Sequence, residues 1–228
     1  MKKVLLMAAV LLSSVGAFAQ HEVGSFSIQP KAGMTVSSVT GMGEQIDAKS
    51  KIGFTAGADA EYQATDWLGI SAGVNYSLQG AKANYSYSLG NVANATLDGD
   101  LKLGYVNVPV VANVYVTKGL ALKAGVQFGF LTSSKMTLDG SISALGIGAG
   151  GSTDVDLKDY TNSTAISIPM GISYEYNNFV VDARYNLGLT KLGKENEDIS
   201  KVTGLAGIKY DETKNNVFQI TLGYKFDL

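Results

Sequence analysis

From residue 26 to the end, the chain repeats one pattern: runs of about eleven residues in which apolar side chains alternate with small or polar ones. A period of two marks a strand whose two faces see different surroundings. The first run sets Phe26, Ile28, Pro30, Ala32, Met34 and Val36 against Ser27, Gln29, Lys31, Gly33 and Thr35. Seven more begin at Ile52, Leu68, Tyr105, Leu120, Ile166, Phe179 and Phe218. Each run has the length a tilted strand needs to cross a bilayer, about 9 to 11 residues, where strands in soluble sheets average roughly five or six.

The connections alternate too. Short turns are expected at residues 64–66, 117–119 and 177–178, and long ones at 37–50, 79–103, 131–163 and 190–215. Three short and four long connections put both ends of the domain on the short-turn side, as in a barrel with periplasmic turns and extracellular loops. An open sheet edge has no hydrogen-bonding partner in hydrocarbon, so the sheet must close. The expected fold is all-β: a closed antiparallel transmembrane up-and-down β-barrel of about eight strands.

Lys2 and Lys3, the apolar residues 4–15 and Ala17-Phe18-Ala19 read as a signal peptide cleaved after Ala19, leaving residues 20–228 as one barrel domain bound for a bacterial outer membrane. With no cysteine, neither disulfides nor thiol chemistry are available, and a net charge of -2 offers no footprint for nucleic acid.

An eight-stranded barrel has an interior just wide enough for side chains. The polar face supplies Lys31, Asp59, Glu61, Lys123, Glu175, Asp182, Arg184 and Lys225, four of each sign, as a structural lumenal cluster. The reverse orientation would put Lys and Arg against lipid at about 2 to 4 kcal/mol each at midplane. Arg184, the only arginine, is expected opposite Gly171, which leaves room for its guanidinium. Tyr62, Trp67, Tyr176 and Phe226 form the expected aromatic girdle at the short-turn end. Pro30, Pro109 and Pro169 fall inside runs, where each removes a ladder donor, so bulges or interior water are expected there.

Three motifs imitate active sites. Gly69-Ile70-Ser71-Ala72-Gly73 has hydrolase-elbow spacing, but that chemistry needs a strand-to-helix turn and a histidine base, and the lone histidine is His21. Gly146, Gly148 and Gly151 match a dinucleotide fingerprint without the helix it requires, and read as a flexible loop tip. Asp154, Asp156 and Asp159 lack the rest of a calcium loop. No catalytic residue, cofactor or metal is expected.

The alternation through residues 178–189, the closing residues 218–226, the Tyr105-Val106-Asn107-Val108-Pro109-Val110 stretch and the opening strand around Gly33 resemble the outer membrane protein beta-barrel, porin-like family across nearly the whole mature chain. That resemblance implies a small adhesion or structural barrel with no shared catalytic set. The expected role is therefore structural or surface-interacting, through the long loops, with a narrow passive channel or a soluble lipocalin-like carrier as alternatives. Expected partners are outer-membrane lipid, the assembly machinery reading Tyr224 and Phe226, and an extracellular or envelope component at the loops; a monomer is expected.

Overall fold

The alternating runs become strands because only a sheet places every second side chain on the same face, and here one face is apolar throughout. In the computed structural model the described residues are 21–40, 47–89, 93–144, 147–194 and 213–228. The expected signal peptide, residues 1–19, lies outside them. The strands are β1 (Phe26–Thr40), β2 (Asp47–Thr65), β3 (Leu68–Leu89), β4 (Ala93–Thr117), β5 (Leu120–Ala144), β6 (Ile147–Asp156), β7 (Thr164–Tyr176), β8 (Phe179–Gly188), β9 (Lys214–Tyr224) and β10 (Phe226–Asp227).

Eight staves make the barrel: β1, β2, β3, β4, β5, β7, β8, and β9 with its continuation β10, all antiparallel. Closure comes from β1, which pairs with β9 from Lys31↔Gly223 to Thr40↔Lys214 and with β10 at Ser27↔Asp227. β6 stands outside the ring and pairs only with β5. The turn between β7 and β8 uses Asn177 and Asn178 at φ 48° and 66°, a left-handed pair that asparagine tolerates and that matches hairpin twist. Along β1, Ser27, Gln29, Lys31, Thr35 and Ser37 are buried while Phe26, Ile28, Met34 and Val36 are exposed to the bilayer.

Three sequence expectations need correction. The stretches 37–50, 79–103 and 131–163 are largely strand: β3 runs to Leu89, β4 starts at Ala93, and β5 continues to Ala144 before the β6 hairpin. The fingerprint glycines Gly148 and Gly151 therefore sit in β6 and not in a flexible tip, and Gly146 lies outside the described residues. The reason is physical. Beyond the bilayer both faces meet water or protein, so the apolar alternation fades while the backbone ladder continues. A 25-residue strand is about 80 Å long at ~3.3 Å per residue; tilted by about 45°, it rises well past a hydrocarbon core of about 30 Å.

The second correction concerns the prolines, none of which carries a bulge. Each keeps a partner on one side, Pro30↔Ala58, Pro109↔Gln127 and Pro169↔Asn186. On the other side the ladder skips a few residues and resumes in the same register, between Ile28↔Phe226 and Lys31↔Gly223, between Ala72↔Val110 and Asn75↔Asn107, and between Ala124↔Met170 and Gln127↔Ser167. The missing donor is absorbed by a gap in the ladder.

The third concerns Gly171. It does pair with Arg184, but a Cβ at Gly171 would run into the Ala183 carbonyl oxygen and the Arg184 Cα. Its lack of a side chain lets two strand backbones approach. A Cβ at Gly33 would likewise meet the backbone of Ile220 and Thr221 across the closing seam, the kind of glycine position that lets a sheet coil into a small barrel.

Candidate functional site

Alternation directs the charged residues of six staves inward, and the register stacks them into two networks. All eight of Lys31, Asp59, Glu61, Lys123, Glu175, Asp182, Arg184 and Lys225 are buried. In the first network Lys31 of β1 pairs with Asp59 of β2, and Lys123 of β5 donates to Asp182 of β8 at 2.7 Å. Arg184 joins the two pairs across the lumen, at 3.0 Å from Asp182 and 3.8 Å from Asp59. Three cations thus share two carboxylates, which keeps every charge within reach of an opposite one, the condition for burying them.

The second network lies one inward position nearer the short turns. Lys225 sits 3.2 Å from Glu61 and 3.1 Å from Glu175. The Tyr115 hydroxyl donates to Glu61 at 2.5 Å and accepts from Lys225 at 3.1 Å. His21 completes it, with Nε2 at 3.0 Å from Glu175 and Nδ1 at 2.8 Å from Asp227. The His21 ring is pulled above its ordinary pKa of 6.5, first by its hydrogen bond to Glu175, against the opposing effects of burial and Lys225.

Further from the short turns the interior loses its charge. Asn107 donates to Asn75 and Ser77, Gln79 donates to Ser77, and Asn215 donates to Gln79. A cavity of about 30 Å³ borders this amide layer, touching Gln79, Asn107, Gln127, Asn186, Tyr105 and Leu192, room for a water or two. Next comes an apolar cluster of Val39, Ala81, Leu101, Leu103, Tyr105 and Leu192, with Leu131 and Met136 packed against it. Leu192 is held there by backbone bonds from its own N–H to Thr213 and from Asn162 to its carbonyl.

Tyr62, Trp67, Tyr176 and Phe226 are all exposed at the short-turn end. They stand with Phe26, Phe179 and Tyr224, whose rings approach Tyr62, Tyr224 and Phe226 at 4.8, 5.0 and 4.7 Å. Sequence reasoning passed over Tyr115 and His21 as lumenal groups and the apolar cluster altogether. Tyr115 was accessible through parity, since it shares the inward set with Asn107 and Asn113. Ser71, the elbow serine, is buried and bonded to Val111 and Asn113. Among the described residues no cluster of His, Cys, Asp or Glu has the geometry to hold a metal ion.

The model of the outer membrane protein beta-barrel domain matches residues 18–193. The chain belongs to that family. It is a porin-like barrel of the bacterial outer membrane. Among solved structures it is similar to Ail, the attachment invasion locus protein of Yersinia pestis, at 18% identity over 90% of this chain and 100% of that one, TM-score 0.43. It is also similar to Neisserial surface protein A, at 16% identity over 88% and 97%, TM-score 0.42, and to OprG of Pseudomonas aeruginosa, at 12% over 90% and 97%, TM-score 0.30. No curated protein matches the chain.

Proposed function

We propose that this barrel is a non-enzymatic surface-interaction protein that presents a rigid extracellular sheet on a closed membrane anchor. The observation that carries the reading is the continuation of β2 to β5 beyond the apolar belt as one hydrogen-bonded sheet, joined there by β6. Its outer face carries charge of both signs in contact with solvent: Lys82 opposes Asp100, Lys135 stands between Lys102 and Asp156, and Asp98 opposes Asp139. Disordered loops would lose conformational entropy on binding, whereas a prebuilt sheet meets a partner already ordered. The lumenal charges, in this reading, are structural: they fill the interior and hold the staves together.

The test compares cells displaying the full barrel with cells displaying one trimmed at the β3–β4 and β5–β6 hairpins to short turns. Adhesion to eukaryotic monolayers or to neighbouring bacteria should fall with trimming, while heat-modifiable gel mobility shows that the anchor still folds. Equal adhesion by both would remove the surface-interaction reading.

A further inference from the structure

We infer that His21 is a proton-operated latch: as an imidazolium it bridges β7 and the C-terminal strand at the periplasmic mouth, and as a neutral ring it releases one of them. Nε2 faces the Glu175 carboxylate at 3.0 Å and Nδ1 faces the Asp227 carboxylate at 2.8 Å. An ionised carboxylate only accepts, and a neutral imidazole has one N–H to give. Nε2 makes the hydrogen bond, to Glu175, and Nδ1 lies at ion-pair distance from Asp227, so a neutral ring would set an unprotonated nitrogen against one of the two carboxylates, whereas the imidazolium suits both.

The surroundings select the same state. The ring's side chain is only 7% exposed and Glu175 is 3% exposed, so that side of the bridge is shielded from water, while Asp227, at 52%, meets solvent. The groups around it are Glu175 of β7, Asp227 of β10 and Lys225 between β9 and β10, with Glu61 of β2 and Tyr115 of β4 on the far side of Lys225. Glu61 and Glu175 face Lys225, and Glu175 and Asp227 face His21, the second cation. Its ring affinity for the proton is raised, with the Glu175 hydrogen bond as the leading cause.

The sign follows. Folding raises the ring's pKa, so the latch contributes fully below the ordinary value of about 6.5 and is lost as pH climbs through the higher folded-state value. What it releases is limited. Gly24 donates to the Gln63 carbonyl at 2.8 Å and Gln63 donates to Ser25 at 3.0 Å, so the chain from Gly24 onward stays fastened to β2. His21, Glu22 and the exposed Val23 are the part loosened, with the Ser25 N–H still on the Glu22 carbonyl at 3.1 Å.

Because His21 is the only histidine, one imidazole signal reports on the latch in the whole folded barrel. NMR of the ring in detergent micelles should show both nitrogens protonated near neutral pH and a midpoint above the ordinary value, moved downward in Asp227→Asn. A spin label at position 23 should become more mobile as pH rises through that midpoint, and in His21→Gln its mobility should not depend on pH over the same range. A ring that titrates at or below its ordinary value, a singly protonated ring in the bridged state, or a label whose mobility ignores the midpoint would overturn the latch.

Discussion

The two ends of the lumen are packed by different physics. Toward the periplasm the interior is filled by charge: Lys31, Lys123, Arg184 and Lys225 interleave with Asp59, Asp182, Glu61 and Glu175. Toward the outside it is filled by Leu101, Leu103, Tyr105 and Leu192, with an amide layer between. Ion-pair packing depends on matching counts of charge, and apolar packing on volume. A mutation that one end tolerates should therefore be costly at the other.

The sharpest way to break this contrast is Asp182→Ala. It removes the carboxylate that serves both Lys123 and Arg184, leaving three buried cations around Asp59, and should cost about 3 to 5 kcal/mol. Arg184→Met should cost less, because Lys31 with Asp59 and Lys123 with Asp182 then remain as balanced pairs. Urea unfolding in micelles, followed by the fluorescence of the single tryptophan Trp67, measures both. An Arg184 variant weaker than the Asp182 variant would mean that the count of charges is not what matters.

At the outer end Leu103, wholly buried, is the residue to cut. Leu103→Ala should cost about 2 to 4 kcal/mol in the same assay, through lost transfer energy and the cavity left behind, and should be insensitive to salt. The smallest effect is expected from the ion pair of Lys51 with Asp100, which keeps contact with water in the same upper region. Lys51→Ala should cost about 1 kcal/mol or less. A larger loss would make charge important at both ends and erase the contrast.

The lower half of this design was legible in the chain, and the upper half was not, for one reason. Between Phe26 and Val36, or Phe179 and Leu189, lipid on one face and lumen on the other impose a strict alternation that fixes strand, face and register together. Above the belt that contrast disappears. Leu101, Leu103 and Met136 are apolar because they face each other inside the extended sheet, while Asp100, Lys102 and Lys135 face water, so the stretch mixes like a loop. A shift of register, which pairs Tyr105 with Leu131 but Gly104 with Ser133, leaves Thr132 over in β5 and breaks that strand's parity, while β4 keeps Asn107, Tyr105, Leu103 and Leu101 on one buried face. Leu192 arrives from a segment with no strand pattern, and its place in the cluster is set by long-range backbone bonds to Thr213 and Asn162. The His21 contacts are equally nonlocal, joining position 21 to positions 175 and 227.

Conductance decides whether the barrel is an anchor closed at both ends. Purified protein reconstituted into planar bilayers should give no steady single-channel current at neutral pH, because charge fills the lower lumen and apolar side chains fill the upper one. Steady, reproducible currents from the unmodified barrel would contradict the claim and make a passive channel the better reading of the fold.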